Sequence, residues 1–219
     1  MLQVRSFVFN PFQENTLVLF DDTKECIIVD PGCSDEAESF QLKDFIEGNG
    51  LKVKYLLNTH CHIDHVLGNR FVKEIFKVNL LIHQAEEAVL QAVEVLAPAY
   101  GFPLYQHQSA DAFLEEGDSI VFGDQTLKVL FVPGHSPGHV AFYSEMNKIL
   151  IGGDVLFYNS IGRTDLPGGN HGLLIDSIHR KLFTLPDEVK VFPGHGPETT
   201  IGFEKKTNPF CALDNIDFD

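Results

Sequence analysis

Residues 59–65 read Thr59-His60-Cys61-His62-Ile63-Asp64-His65, which places three histidines and an aspartate within six consecutive positions. The segment continues the strand-like run KYLLN of 54–58 into a loop. In extended backbone His60 and His62 project to the same side, Asp64 continues that register, and His65 follows as the chain turns. Imidazole and carboxylate donors gathered on a strand-end loop suit a borderline divalent ion such as zinc. Four of them exceed what one tetrahedral ion with an open position needs, so the spacing implies two ions. Cys61 lies between the first two histidines and is expected to point the other way, as packing.

Further donors follow other apolar runs. Pro133-Gly134-His135 ends KVLFV, Gly152-Gly153-Asp154 ends KILI, and Pro193-Gly194-His195-Gly196 ends KVF. Each is a strand signal, then glycine, then one side chain able to ligate a metal. Glycine lets the backbone turn sharply and approach a site closely. Three repeats of this construction point to a shared site at one edge of the fold.

Around these loops the pattern alternates strand and helix. Residues 2–9, 15–20 and 25–30 read as an antiparallel meander ended by Pro31-Gly32. Residues 35–48 carry Phe40, Phe45 and Ile46 near helical spacing, with Gly48 as the stop. Positions 64–77 read as a loop and short helix, 80–83 as a strand, and 84–97 as a helix stopped by Pro98. Residues 99–117 are turn-rich without a period. Strand signals resume at SIVF, QTLKVLFVP, HVAFYS and KILIGGD, followed by a helical stripe over 170–186 and the strand of 190–196. Helices between runs of strands predict an α/β chain, a single domain over 1–219. Its architecture is expected to be αββα in four layers: two mixed sheets back to back, flanked by helices.

Of 219 residues, 44% are hydrophobic; sixteen basic residues face thirty-one acidic ones, a formal net charge of −15. Such a field opposes sequence-independent binding to nucleic-acid phosphates or anionic membranes, so neither is expected as a partner. The four cysteines have no C-x-x-C spacing and do not read as a disulfide framework. MLQVRSFVFNPF lacks the pattern of a secretory leader, and no apolar run has the length of a membrane span. The expectation is a soluble cytoplasmic chain.

The order His60-x-His62-x-Asp64-His65, His135, Asp154, His195, with Val29-Asp30-Pro31-Gly32 before it, resembles the metallo-β-lactamase superfamily along essentially the whole chain. The resemblance implies that His60, His62 and His135 bind one ion, and that Asp64, His65 and His195 bind the other. Asp154 would bridge the pair, and Asp30 would be a buried carboxylate supporting the ligands. Within the superfamily, Gly134-His135-Ser136-Pro137-Gly138-His139, Gly153-Asp154-Val155-Leu156-Phe157, Gly162-Arg163-Thr164-Asp165-Leu166-Pro167 and Pro193-Gly194-His195-Gly196-Pro197 resemble the glyoxalase II-like hydrolases. The carboxy-terminal helical domain that carries the glutathione contacts of full-length members is expected to be missing, as in the short bacterial type.

The implied reaction is hydrolysis of a small-molecule thioester such as S-lactoylglutathione to a 2-hydroxy acid and a thiol, by attack of a metal-bound hydroxide. Two divalent ions are the implied cofactors, zinc first, with iron or manganese compatible with the same donors. Asp64 and Asp154 are the candidate catalytic residues, Asp64 as a ligand that also orients the nucleophile. Arg163 is read either as an anion contact for the substrate or as a loop-fixing partner of Asp165, and Phe157 as a pocket wall or ordinary packing. His139 is read as a structural or supporting residue. A mononuclear-iron persulfide dioxygenase, which shares Gly162-Arg163-Thr164-Asp165, is one rival. A metal-binding protein without catalysis is another, although structural zinc sites are usually closed by four cysteine-rich ligands. An exported β-lactamase, a flavodiiron reductase and an RNA-processing nuclease fit the sequence less well.

Overall fold

The structure, a computed structural model, describes residues 1–213. Two compact units emerge: Met1–Leu114 with Ile120–Thr126, and Glu115–Ser119 with the chain from Leu127 onward.

In the first unit the order is β1 (Gln3–Phe9), β2 (Glu14–Phe20), β3 (Glu25–Val29), α1 (Glu36–Gly48), β4 (Lys52–Leu57), α2 (Ile63–Val66), α3 (Asn69–Phe76), β5 (Leu80–His83), α4 (Glu87–Leu96) and β6 (Ala112–Leu114). The six strands form one mixed sheet in sequence order. The meander β1-β2-β3 is antiparallel as expected, and β3 through β6 run parallel. A parallel strand covered on both faces reads as a continuous apolar run, and Cys26 to Val29 of β3 are all fully buried. Helix α1 starts at Asp35, whose carboxylate accepts the Glu38 N–H at 2.9 Å, a capping contact worth about 1 kcal/mol. Its buried residues are Leu42 and Ile46, one turn apart, whereas Phe40, expected in the apolar stripe, is exposed.

The register of the parallel pair sets the first functional feature. Val29 stands opposite Leu57, so Asp30 and the Asn58-Thr59-His60 run leave the sheet side by side, at the carboxyl ends of adjacent strands. Open parallel sheets bind ligands at that edge. The Asp30 N–H donates to the Leu57 carbonyl at 2.9 Å, closing the pair.

The second unit contains most of the other six-stranded sheet. In chain order come β7 (Ser119–Phe122), β8 (Gln125–Phe131), β9 (Val140–Ser144), β10 (Ile149–Gly153), β11 (Leu156–Phe157), β12 (Ser160–Ile161), α5 (His171–Ser177), β13 (Lys190–Pro193), β14 (Thr199–Thr200) and α6 (Ile201–Thr207). The sheet runs β14-β13-β10-β9-β8-β7, and β11-β12 is a separate small hairpin. It too is mixed, since β10 pairs antiparallel with β9 and parallel with β13. The same construction recurs: Gly153 stands opposite Pro193, and the Gly194 N–H donates to the Gly153 carbonyl at 2.9 Å. Asp154 and His195 therefore emerge from neighbouring strand ends. The chain is mixed α/β with two mixed sheets and flanking helices, as the sequence predicts.

Several local expectations need correction. Asp64 and His65 lie in the helical turn α2, for which extended His62 is the N-cap, so Asp64 does not continue the strand register. The loop and short helix expected over 64–77 are instead two helices, α2 and α3, separated at Gly68. A Cβ there would lie 2.4 Å from the Cys33 Sγ, and its N–H donates to the Pro31 carbonyl at 2.7 Å. Residues 84–86 are a 3-10 turn ahead of α4, and Pro98 begins a second such turn, Ala97–Tyr100, rather than simply stopping a helix. Helix α5 ends at Ser177 and continues as a π-helical turn, Ile178–Leu182. The edge strand β6 and helix α6 were not legible; α6 has seven residues and relies on Thr200, whose hydroxyl accepts the Phe203 N–H.

All four cysteines are buried and none forms a disulfide. Among the described residues, no helix is long and apolar enough to cross a membrane.

One buried acid gives a pH-dependent stability. Asp21 accepts the backbone N–H groups of Thr23 and Asp124, the Thr23 hydroxyl and the Gln125 amide at 2.5–3.0 Å, tying the 123–125 turn to the end of β2. Burial alone would push its carboxyl up, but these donors outweigh it and hold it at about 2, against an ordinary 3.8. A depressed carboxylate contributes stability that is complete above its unfolded value and is lost as pH falls through the folded one. The melting temperature is thus expected to fall between about pH 4 and pH 2, and Asp21→Asn to flatten that stretch in a thermal-melt series.

Candidate metal centre

In the first unit the ligand candidates sit on the loop after β4 and on α2. His60 and His65 are fully buried, and their ring centroids are 4.1 Å apart. His62, half-buried, stands edge-on to His60 at 4.8 Å. His65 Nε2 lies 3.6 Å from Asp64 Oδ2, while its Nδ1 lies 3.2 Å from Asp30 Oδ2. Asp30, His60 and His65 offer donor atoms within 4.8 Å of one another, all buried.

Proton counting shows how these rings are set. Asp30 Oδ1 accepts the Thr59 N–H at 2.7 Å, and Oδ2 accepts the Thr59 hydroxyl at 2.6 Å. That hydroxyl has one proton and gives it to Asp30, so toward His60 Nδ1, 3.1 Å away, it acts as acceptor. His60 is therefore protonated on Nδ1, and its neutral form has the lone pair on Nε2. Asp30 at His65 Nδ1 favours the same tautomer there. A carboxylate or hydroxyl on one ring nitrogen, leaving the other basic, is the arrangement that supports a metal-ligating histidine. Asp30 does this from the left-handed region, at φ 50°, a conformation that Asp adopts more readily than most residues.

The loop has further anchors. The Asn58 amide donates to the His65 carbonyl at 2.9 Å and accepts from the Asn69 amide at 2.9 Å. The Asn10 amide donates to the Gly32 and Asp64 carbonyls, each at 3.0 Å, joining the Asp30-Pro31-Gly32 turn to α2. Cys61 is fully buried, and burial, reinforced by the nearby Glu86 and Asp30 carboxylates, pushes its thiol well above the ordinary value. It stays a protonated packing residue, in keeping with its expected orientation.

In the second unit Asp154 stands between two imidazoles. Its Oδ2 lies 3.5 Å from His135 Nε2 and 3.6 Å from His195 Nε2. His135 Nδ1 is 2.8 Å from the Arg163 carbonyl; a carbonyl only accepts, so Nδ1 carries a proton, and the neutral ring then has its lone pair on Nε2. The Asp154 N–H donates to His139 Nε2 at 3.0 Å, which gives buried His139 a supporting task. Two glycines make the approach possible. Gly134 has φ 136° and would clash with the Leu174 backbone if it bore a Cβ, and a Cβ on Gly162 would lie 2.0 Å from the Asp154 carbonyl oxygen.

The two candidate substrate contacts differ. Arg163 is exposed and forms a bidentate pair with Asp165 at 2.6–2.7 Å, and its guanidinium holds that carboxyl at about 2. This is the loop-fixing geometry. Phe157 is half-buried, with its ring 6.4 Å from that of His195, edge-on. The supporting roles of Thr59, Asn58, Asn10 and the Arg163 carbonyl were not read from the sequence. Thr59 was visible at the start of the quoted segment, but only the fold shows which acid it bonds.

The donor chemistry fits a borderline divalent metal. His65 and His135, each with Nδ1 engaged, turn Nε2 toward the Asp64 and Asp154 carboxylates, imidazole and carboxylate donors of the type that zinc, iron and manganese share.

Comparison with known proteins identifies the family. Residues 9–195 match the family model of the metallo-beta-lactamase superfamily. The hydroxyacylglutathione hydrolase GloC of Haemophilus influenzae is 37% identical over 206 residues, which is 91% of this chain and 93% of that one. Among solved structures, the BLEG-1 B3 metallo-beta-lactamase superposes with a TM-score of 0.87 at 38% identity, covering 95% of this chain and 99% of that one. TTHA1623 in a di-iron-bound form gives 0.84 at 37% identity, covering 94% and 99%.

Proposed function

The chain belongs to the metallo-beta-lactamase superfamily, and from that premise we propose that it is a dinuclear-metal hydrolase of small-molecule thioesters. The observation that carries the reading is Asp154 Oδ2 standing 3.5–3.6 Å from the Nε2 atoms of both His135 and His195. One carboxylate poised between two imidazoles suits a bridging ligand. A closed four-ligand structural site has no use for such a bridge, which argues against a metal protein without catalysis. The similarity to a hydroxyacylglutathione hydrolase supports S-lactoylglutathione as the first substrate to try.

In this reading His60, His62 and His135 hold one ion, Asp64, His65 and His195 the other, and Asp154 is shared, with 1–219 acting as one catalytic domain. Zinc is the first candidate, and the di-iron form of a 37% identical protein makes iron the next. Bound there, a metal pair supplies a water acidic enough to ionise near neutral pH and a Lewis acid for the substrate carbonyl. The chain's own groups do the rest. Asp30 and Thr59 keep His65 and His60 protonated on Nδ1, and the Arg163 carbonyl does the same for His135. Asp64, held by Asn10 through its carbonyl, orients the attacking water. Phe157 offers an apolar wall beside His195 for the acyl group.

A panel of substrates tests the assignment on purified, metal-analysed protein. Thiol release from S-lactoylglutathione under anaerobic conditions, exceeding turnover of a chromogenic cephalosporin, supports it. The B3 β-lactamase similarity makes β-lactam cleavage the specific second reading, and faster cephalosporin turnover would select it. Oxygen consumption with a persulfide, without thiol release from thioesters, would select the dioxygenase.

Arg163 has its own test. If its guanidinium meets a carboxylate of the substrate, Arg163→Ala raises KM about tenfold or more with kcat little changed, the signature of lost uniform binding. An unchanged KM leaves the side chain to Asp165 alone.

A further inference from the structure

Glu86 is fully buried, and so is Cys61, twenty-five positions earlier. The Cys61 N–H donates to Glu86 Oε2 at 2.7 Å. That N–H belongs to the peptide unit between His60 and Cys61, the first of the two peptide units joining His60 to His62. We propose that Glu86 is a positioning residue for this histidine pair, its carboxylate holding the peptide plane that aims both imidazoles to one side.

Three observations carry it. First, the Cys61 N–H and the Glu86 oxygen that accepts it are both fully buried and only 2.7 Å apart, so loss of that oxygen would leave the N–H out of water without its acceptor. Second, a carboxylate is costly to bury unless its hydrogen bonds are made; a backbone carbonyl or a hydroxyl would satisfy the same N–H at lower cost. Third, the fold holds Glu86 rigidly. It ends the 3-10 turn Gln84–Glu86 after β5, a turn capped by His83 Nδ1 accepting the Ala85 N–H at 3.1 Å, and it immediately precedes α4, whose Leu90 and Val93 are buried. The strand-to-helix junction thus carries the acid to the ligand loop from a different part of the sheet.

The inference rests on His60 and His62 being ligands, and cobalt(II) titration of the metal-free full chain tests the two readings separately. Glu86→Ala is expected to weaken cobalt binding about 10–100-fold, the usual cost of losing a partner that orients a ligand. It should also alter the visible absorption bands of the bound ion, because the imidazoles lose their set orientation. Glu86→Gln keeps an acceptor oxygen at the same reach and should restore both affinity and spectrum. Glu86→Asp, one methylene shorter, should fall between them and serves as the decisive variant if Glu86→Ala does not fold. Asp21→Ala, which removes a buried acid elsewhere in the same unit, should lower the melting temperature and leave cobalt affinity unchanged. A folded Glu86→Ala or Glu86→Asp protein with the parent's affinity and spectrum overturns the proposal. So does a Glu86→Gln protein as impaired as Glu86→Ala. A parent chain that binds no cobalt at all removes the metal reading itself.

Discussion

Asp154→Asn is expected to lower thioester hydrolysis about a hundred- to a thousandfold, the scale on which loss of one electrostatic element at a reacting centre lowers kcat. Asn has the same shape and retains the backbone N–H that donates to His139 Nε2, so the fold should survive, as circular dichroism would show. What changes is charge. Asp154 Oδ2 faces His135 Nε2 and His195 Nε2 at nearly equal distances, and an amide is a poor replacement for a carboxylate asked to serve two cations. Bound metal should fall below two equivalents in the same preparation. Near-parent activity in this variant would remove Asp154 from the machinery and leave its geometry as a local ion-pair arrangement.

Metal removal should have a larger effect still. Chelation is expected to abolish thiol release, and zinc, iron or manganese restored singly should reveal which ion the site prefers. Stability should fall as well, because a ligand present at a thousand times its dissociation constant stabilises the folded state by about 4 kcal/mol. For a chain of this size each kcal/mol is worth about 2–4 °C, so the apo protein should melt roughly 8–16 °C lower. The physical origin lies in the buried sets: His60, His65 and Asp30 in one loop region, and His135 with Asp154 in another, are polar groups taken out of water, and a cation repays part of that cost. A chelated protein that melts like the untreated one and keeps its activity would show that no metal contributes.

The sequence was informative where a backbone rule acts on neighbouring residues. His60 and His62 obey strand alternation, and the glycine-then-ligand pattern marks the ends of parallel strands whose register brings Asp154 and His195 together. Asp64 departs from that alternation because the chain turns into α2 after His62, so a helical turn and not the strand register sets where Asp64 and His65 stand. The supporting contacts were illegible for a different reason. Thr59 with Asp30, Asn10 with the Asp64 carbonyl, His135 with the Arg163 carbonyl and Glu86 with Cys61 join positions 25 to 54 residues apart, and no local period encodes such pairs. Phe40 failed as a core residue because α1 buries Leu42 and Ile46 instead, a face that only packing decides. Arg163 remained open from sequence, and its bidentate pairing with Asp165 narrows what it has left to offer a substrate.

In the function proposed above, this chain holds two metal ions and uses them to hydrolyse a thioester. The most direct test is a metal titration of apo protein, followed by anaerobic thiol release from S-lactoylglutathione at each step. Activity should rise to a maximum at two equivalents per chain, with turnover in the ordinary enzyme range of about 1–1,000 per second. Activity complete at one equivalent would contradict the dinuclear reading, and two bound equivalents without thiol release would contradict the thioesterase.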